Sequence, residues 1–356
     1  MLNRLCFCFV LVAATAVTSL GLAADGLWTD PTDDSLPAAF YIQGEYVGEV
    51  KGGGQLGVQV IGLGGDALQA VVYPGGLPGA GWDGKAKYLM QGKLAGQGAS
   101  FTPATGNRKY LGKGADEFSA IEKFSESENQ PYSAEVAGGK MTGKTPDGKT
   151  FELQKTVRKS PTLGKEAPQG ATVLFDGSEE SMANWQGGRL DEDSKLLNTD
   201  GKDIKTKDKF DSYTMHVEFM LPYKPAARGQ GRGNSGFYQI DLYEVQILDS
   251  FGLEGKNNEC GGVYSQKASD VNACLPPLQW QTYDVEFTNA KTDDSGKKIA
   301  PARMTVKLNG IVIHDDYELK GKTGGSRNDP EGTPGPIKLQ GHGNPLQFRN
   351  VWIVEK

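Results

Sequence analysis

Histidine and cysteine, the residues that most often hold zinc, are scarce in this sequence. The 356 residues include only 3 histidines and 4 cysteines. The histidines lie far apart, and neither a C-x-x-C nor an H-x-x-x-H spacing occurs. A structural zinc site normally needs four such ligands at short spacings. The sequence therefore predicts no zinc site.

Basic segments are also missing. The chain carries 38 Lys and Arg against 44 Asp and Glu, which gives a formal net charge of −6, and no run is rich in lysine or arginine. Contact with a phosphate backbone needs a basic surface. We therefore expect no nucleic acid among the partners of this protein.

Long apolar runs are absent after the first residues of the chain. The one such run, from Leu5 to Leu20, follows Arg4 and precedes small residues up to Ala24. This order predicts a secretory signal peptide over residues 1–24, cleaved near Ala24. The alternative is an uncleaved anchor, but an apolar run of about 16 residues is short for a membrane span of about 20. We expect an exported protein, periplasmic or extracellular, whose mature form has no membrane span.

Two cysteines, Cys260 and Cys274, remain after the signal peptide. An even number of cysteines in an exported protein favours a disulfide. The bridge would close a loop of about 15 residues, worth roughly 3 kcal/mol through the lost entropy of the unfolded chain. The sequence therefore favours a Cys260–Cys274 disulfide, with two free thiols as the alternative.

Amphipathic helical patterns are missing as well. No stretch of three turns repeats apolar side chains at i, i+3, i+4 and i+7, whereas short alternating runs bounded by Gly, Asn, Asp and Pro recur. The predicted fold class is therefore all-β. The length exceeds what one hydrophobic core usually supports, which favours two domains.

Glycine, by contrast, is abundant, with 49 residues. In residues 26–160 short strand-like runs are joined by turns such as Gly52-Gly53-Gly54 and Gly138-Gly139, and glycine readily adopts the positive φ angles of tight turns. We predict a small antiparallel β-meander or partial barrel there. Residues 161–171 contain two prolines and no periodicity, which is typical of a linker.

The second half of the chain, residues 172–356, has clearer strands. Apolar and polar residues alternate from Tyr213 to Leu221, and Asn309-Gly310 separates two alternating runs, which is the strongest short signal for a hairpin. Strands with one buried face predict a β-sandwich or jelly roll. His216 and Glu218 lie on the polar face of their strand, where we expect exposed surface; lining of a groove is the alternative.

Two further strands place reactive side chains on one face. Glu244 and Gln246 alternate with apolar residues and would lie about 7 Å apart along a strand. Near the C terminus Lys338, Gln340 and His342 also share a face, and glycines on both sides leave the imidazole sterically open. For Glu244 and Gln246 the alternative is a solvent-exposed position without a function.

Short motifs in this half occur in a specific order. They are Leu174-Phe175-Asp176-Gly177, Trp185, Asn234-Ser235-Gly236, Tyr243-Glu244-Val245-Gln246-Ile247-Leu248-Asp249, Trp280-Gln281-Thr282-Tyr283, Leu308-Asn309-Gly310, Leu339-Gln340-Gly341-His342-Gly343 and Phe348-Arg349-Asn350. With these motifs residues 172–356 resemble the 3-keto-disaccharide hydrolase domain family, which has a concanavalin-A-like jelly-roll fold. The resemblance implies activity on 3-keto-glycosides, sugars that a partner oxidoreductase has oxidised at C3.

Ordinary glycoside hydrolysis uses two carboxylates that flank the scissile bond. The strand from Glu244 supplies only one, because Asp249 has the opposite parity. A 3-keto sugar needs only one base, since its ketone acidifies the C2 proton. We predict Glu244 as this base and His342 as the acid. The predicted hydrogen-bond donors and sugar contacts are Asn234, Gln246, Tyr264, Trp280, Gln340 and Arg349.

Several alternatives stay open. Trp280 can equally be a core residue, and Arg349 can pair with an internal carboxylate. No cofactor is predicted, although two acidic runs leave a divalent metal such as calcium open without the spacing of a known calcium loop. The same face could serve a lectin-like carbohydrate-binding module, or the first domain could make the protein a surface scaffold.

Overall fold

The computed structural model describes residues 26–356, so the predicted signal peptide lies outside the described residues. The fold is all-β, as predicted, and its two α-helices are short: α1 (Ala38–Ile42) and α2 (Glu179–Met182). A single 3₁₀ turn spans Gly229–Gly231. No helix within residues 26–356 is long and apolar enough to cross a bilayer.

The first ten strands build the N-terminal part. They are β1 (Gly44–Val50), β2 (Gln55–Gly62), β3 (Ala67–Pro74), β4 (Tyr88–Ala95), β5 (Gly98–Pro103), β6 (Lys109–Tyr110), β7 (Phe118–Ser119), β8 (Ser133–Ala137), β9 (Lys140–Lys144) and β10 (Thr150–Thr156). Eight of them close into an antiparallel barrel of order β1-β10-β9-β8-β5-β4-β3-β2, while β6 and β7 form a separate parallel pair. The predicted meander is therefore a complete barrel.

Two glycines explain part of the barrel's composition. A Cβ atom at Gly92 would overlap the ring of Phe101, and one at Gly143 would overlap the ring of Phe151. Both rings are buried in the barrel interior. Strand glycines here make room for aromatic side chains in a narrow barrel.

The remaining strands form a two-sheet sandwich and a separate two-stranded sheet. They are β11 (Thr172–Phe175), β12 (Trp185–Gln186), β13 (Arg189–Leu190), β14 (Leu197–Asn198), β15 (Ile204–Thr206), β16 (Tyr213–Met220), β17 (Ser235–Gln239), β18 (Tyr243–Ile247), β19 (Trp280–Thr288), β20 (Lys291–Thr292), β21 (Lys298–Ala300), β22 (Arg303–Leu308), β23 (Ile311–Glu318), β24 (Lys338–Leu339) and β25 (Gln347–Glu355). The large sheet has the order β13-β14-β25-β16-β19-β22-β23, with β11 paired to β25. The small sheet has the order β12-β15-β24-β17-β18.

Aromatic residues from both sheets meet in the sandwich core. The rings of Phe219 and Tyr283 on the large sheet stack with centroids 5.0 Å apart, and Phe237 of the small sheet stacks on Tyr283 at 6.0 Å. Asn309 and Gly310 have φ angles of 53° and 80° and join β22 to β23. This confirms the predicted hairpin, whose turn needs two residues with positive φ.

The predicted linker, residues 161–171, lies against the outer face of the large sheet. Thr162 Oγ1 donates to Asp284 Oδ2 at 2.6 Å, and the carbonyl of Lys165 accepts from Asn350 Nδ2 at 3.0 Å. His216 and Glu218, predicted to be exposed, lie in this region and are fully buried. That prediction is wrong because strand parity gives the face of a residue but not what covers that face.

Cys260 and Cys274 are both free and buried in the structure, which differs from the predicted disulfide. The Cys260 sulfur lies 3.4 Å from the Tyr283 hydroxyl. The Cys274 sulfur lies 3.7 Å from the carbonyl oxygen of Leu248. Burial raises the pKa of the Cys274 thiol, which keeps it in the protonated form that does not attack other sulfurs.

The barrel and the sandwich share an apolar cluster. Ile61 and Tyr73 of the barrel are buried in one cluster with Phe251 and Leu253, which follow β18. Burial of such side chains against one another is the main stabilising term of an interface between domains. The loops that follow β16 and β18 are therefore packed against the barrel.

Candidate active site

A polar cavity of about 250 Å³ lies on the face of the small sheet that points away from the core. We call it the small-sheet cavity. The ten residues that line it are Gln230, Asn234, Tyr238, Glu244, Gln246, Tyr264, Gly324, Gly325, Gln340 and His342. A larger open concavity of about 1000 Å³ lies on the barrel. Every acidic or basic side chain that lines the barrel concavity is exposed, so it lacks the buried titratable group that marks a reactive site.

Six of the eight predicted site residues meet in the small-sheet cavity. They are Asn234, Glu244, Gln246, Tyr264, Gln340 and His342. Strand parity explains most of this convergence, because the alternate residues of β18 and β24 are the ones packed in the core. The sequence pattern thus predicts which side chains face the cavity.

Trp280 and Arg349 do not line the small-sheet cavity. Both lie on the large sheet, where the Arg349 guanidinium stacks over the Trp280 ring at 3.9 Å. Arg349 Nε also donates to Glu218 Oε2 at 2.7 Å. The structure therefore corrects their predicted roles as sugar contacts. Arg349 pairs with an internal carboxylate instead, which was the alternative for this residue.

Glu244 is the one carboxylate among the described residues that line the cavity, and it is 3% exposed. Burial raises its pKa to about 7, because a charged carboxylate loses hydration. The hydrogen bond from Tyr238 and the charge of Lys338 lower this pKa, and the charge of Asp203 raises it. Near neutral pH Glu244 can therefore both accept and release a proton.

Gly236 makes room for this carboxylate. Gly236 lies opposite Gln246 in the β17–β18 pair, two residues along the strand from the Tyr238–Glu244 pair. A Cβ atom at Gly236 would overlap Glu244 Oε1. The absence of a side chain there is a steric condition for the observed position of the carboxylate.

Sequence reasoning missed Tyr238, which is the direct partner of the carboxylate. Its hydroxyl lies 2.8 Å from Glu244 Oε2 and 2.7 Å from the carbonyl oxygen of Gly324. Burial and the nearby Glu244 raise the pKa of the phenol, so it stays protonated and shares its one hydrogen between these two acceptors. The sequence signal was that Tyr238 shares its strand parity with Gly236 in β17 and with Asn234, the residue just before this strand.

The side chain of Lys338 packs against the ring of Tyr238. The Lys338 ammonium lies 3.6 Å from the centre of the Tyr238 ring and 2.7 Å from Asp241 Oδ1. Both members of this ion pair are 1% exposed. A buried cation over an aromatic face is favourable and fixes the ring that holds Glu244.

Gln230 was also missed, since it lies in a loop without strand periodicity. Its Oε1 accepts from Asn234 Nδ2 at 3.2 Å and from Gln246 Nε2 at 3.1 Å. Its Nε2 donates to the carbonyl oxygen of Asn258 at 2.7 Å. The three amides Gln230, Asn234 and Gln246 form one connected group on the cavity wall.

His342 lies at the exposed rim of the cavity. A Cβ atom at Gly341 would overlap the backbone of Lys202, and the Gly341 amide donates to Asp203 Oδ1 at 3.0 Å. These contacts hold the turn that carries the imidazole. The glycine before His342 therefore serves a close backbone approach.

Asp249 does not supply a second carboxylate to the cavity. It is paired with Arg232, whose Nε lies 2.6 Å from Asp249 Oδ2. Within residues 26–356 no cluster of three or more His, Cys, Asp or Glu could hold a metal ion. The cavity thus offers one buried carboxylate, one rim imidazole, two phenols and several amides.

Comparison with known proteins gives the same assignment for the sandwich. Residues 170–354 match the family of the 3-keto-alpha-glucoside-1,2-lyase-like domain. A search of the curated proteins gave no match for this chain.

Solved structures from Parabacteroides distasonis ATCC 8503 are also similar to the chain. One candidate glycosyl hydrolase has 31% sequence identity, with 53% of this chain and 85% of that chain covered and a TM-score of 0.49. A second has 18% identity, with 52% of this chain and 94% of that chain covered and a TM-score of 0.38. Because the family match spans more than half of its residues, the chain belongs to the 3-keto-alpha-glucoside-1,2-lyase-like domain family.

Proposed function

We propose that this protein cleaves 3-keto-glycosides by elimination followed by addition of water. The observation that carries the proposal is the single buried carboxylate of the cavity, Glu244, whose pKa is raised to about 7. Ordinary glycosidases need a second carboxylate across the scissile bond. A sugar with a ketone at C3 does not need it, because its C2 proton is acidic enough for one base.

The proposed reaction has two steps, an elimination and an addition of water. Glu244 takes the proton from C2, the C1–O bond breaks, and the departing oxygen receives a proton, which leaves a sugar with a C1=C2 double bond conjugated to the C3 ketone. Water then adds its hydroxyl to C1 and a proton returns to C2. The net reaction is hydrolysis, and it consumes no cofactor.

The remaining residues have roles that follow from their positions. His342 at the rim is the proposed acid for the departing oxygen. Gln246 and Gln340 carry amide N–H groups that can donate to the enolate oxygen as charge develops on it. Tyr264 lines the cavity and offers a ring face to the sugar. Tyr238 holds Glu244 through its hydroxyl.

The proposed reaction also implies a source for the substrate and a location for the protein. The substrate must come from an oxidoreductase that oxidises a sugar at C3. We also propose export with cleavage near Ala24, as the N-terminal sequence indicates. The family description supports the chemistry, since elimination across C1 and C2 is what a 1,2-lyase performs.

Incubation of the purified protein with 3-keto-trehalose or a 3-keto-glucoside tests the proposal. We expect released sugar with the wild type, with and without a chelator, and at least ~100-fold less with Glu244→Gln because the base is lost. Gly54→Ala is the matched control, since its Cβ would meet open space. Undiminished release by Glu244→Gln would contradict the proposal. Binding of glycans without cleavage would favour a lectin-like module instead.

A further inference from the structure

The orientation of three cavity amides is fixed by one backbone carbonyl. The oxygen and nitrogen of a side-chain amide are assigned from their partners. The carbonyl of Asn258 can only accept, so the group of Gln230 that faces it at 2.7 Å must be Nε2. The Oε1 of Gln230 then faces Asn234 and Gln246, which must both present their NH2 groups to it.

This leaves Asn234 with a free acceptor. Asn234 is 2% exposed, and its Oδ1 has no hydrogen-bond partner among residues 26–356. Gln246 differs, because its Oε1 already accepts from the amide of Ile247 at 3.0 Å. A buried polar atom without a partner is costly and uncommon in native proteins. Asn234 is one of the residues that line the small-sheet cavity, so a molecule bound there would lie next to its side chain.

The barrel holds Gln230 in place. Arg228 precedes Gln230 by two residues and donates to the carbonyl oxygen of Leu63 at 2.8 Å. Arg232 follows Gln230 by two residues and donates to the carbonyl oxygen of Gly62 at 3.1 Å. These carbonyls lie at the end of barrel strand β2. The loop therefore has little freedom to turn Gln230 away from Asn234.

The segment that carries Asn258 is held by the N-terminal part of the structure as well. The Glu259 carboxylate accepts from the Gly255 amide at 2.7 Å and from the Lys256 amide at 3.0 Å. It also accepts from the hydroxyl of Tyr110 in β6, which pairs with β7 beside the barrel. The loop of Gln230 and the segment of Asn258 are thus both hydrogen-bonded to the N-terminal part of the structure.

We propose that Gln230 positions Asn234 so that Asn234 Oδ1 accepts a hydrogen bond from one hydroxyl of the bound sugar. Asn234 is then a specificity-determining residue, and Gln230 is a positioning residue that does not touch the sugar. This differs from the sequence-based expectation of Asn234 as a donor to the enolate. The identity of the sugar rests on the proposed function, but the acceptor role needs only that a sugar binds.

Sugars that lack one hydroxyl test this inference. A site built to bond a hydroxyl rejects the analogue without it strongly, because the buried partner is left unpaired. We would measure kcat/KM for methyl 3-keto-glucoside and its 2-, 4- and 6-deoxy analogues, and binding of the unoxidised counterparts by calorimetry. Wild type should discriminate against one deoxy analogue by roughly 100-fold or more.

Two variants then assign the discrimination. Asn234→Ala should reduce the ratio between the parent sugar and that deoxy analogue to about 1, because the acceptor is gone. Gln230→Met should lower the same ratio, because Asn234 is free to turn its amide. Damage to the fold alone would lower the values for both sugars equally and leave the ratio unchanged.

The outcomes separate this inference from the proposed function. Turnover without discrimination, equal binding of all analogues, absence of any binding, or an unchanged ratio in Asn234→Ala would each overturn the acceptor role. Binding that discriminates through Asn234 without any turnover would keep the acceptor role and contradict the proposed function.

Discussion

At the scale of single residues, the raised pKa of Glu244 leads to a pH dependence. The base works only when deprotonated, and its pKa in the folded protein is about 7. We therefore expect kcat/KM to rise with pH up to about 7 and then to level off; this rise is the acidic limb of the pH profile. A pH profile of the wild type checks this, and full activity maintained down to pH 5 would contradict it.

Tyr238→Phe refines the same measurement. The hydroxyl of Tyr238 stabilises the charged form of Glu244 and so lowers its pKa. Its removal should raise that pKa and move the limb to higher pH by about one unit, the size of one hydrogen bond to a charged group. Tyr264→Phe is the control, since no contact of its hydroxyl with Glu244 is present in the described structure. An unmoved limb in Tyr238→Phe would show that the phenol does not act on this carboxylate.

Sequence patterns predicted site residues most directly where strand parity decided their positions. Glu244 and Gln246 alternate with core residues, so their shared face followed from the sequence. Trp280 and Arg349 were misassigned because their contacts arise between strands that are distant in sequence. Arg349 lies opposite Glu218 in the β16–β25 pair, and no local pattern contains that register.

At the scale of elements, β17 supplies the space for the carboxylate of β18. Gly236→Ala should displace the Glu244 side chain, because the new Cβ would overlap Oε1. We expect a loss of kcat/KM of at least ~10-fold with retained folding, since a small displacement of a base impairs proton transfer. Circular dichroism and kinetics check this. Gly54→Ala is the control with open space, and equal activity of both variants would refute the steric role.

The strands of the barrel were predicted better than its closure. Alternating runs and glycine turns predicted strands in this region, and the predicted turn Gly138-Gly139 joins β8 to β9. Closure depends on the pairing of β1 with β10, between residues such as Glu45 and Thr156. These residues are far apart in the chain, so only the completed fold brings the edges together.

At the scale of the whole molecule, the segment between barrel and sandwich is held by a buried polar network. Glu218 accepts from Arg349 Nε at 2.7 Å and from Asn350 Nδ2 at 2.9 Å. Burial raises its pKa, but hydrogen bonds from His216, Asn350, Gly164 and Arg349 outweigh this and lower it to about 2. The charged carboxylate is therefore stabilising in the folded state.

Glu218→Gln should accordingly lower the free energy of unfolding at pH 7 by on the order of 3 kcal/mol, the size of a shift from 4.5 to about 2. A lowered pKa gives stability that is complete above the unfolded value and is lost as the pH falls through about 2. The difference from wild type should therefore shrink below pH 4.5. Urea unfolding at several pH values checks this.

Glu286→Gln is the control for that experiment. Glu286 lies on the same sheet, but it is 61% exposed in its pair with Lys356, so its removal should cost less than about 1 kcal/mol. Equal losses in Glu218→Gln and Glu286→Gln would contradict the role of burial in this network.

The reaction of a 3-keto-glucoside in D2O tests whether Glu244 removes the proton from C2. Elimination and addition of water should place deuterium at C2 of the 3-keto sugar released by the wild type. The same sugar incubated without protein corrects for spontaneous exchange, and Glu244→Gln should release at least ~100-fold less product. Release of product that retains its C2 proton would contradict the mechanism, because the glycosidic bond would then break without deprotonation.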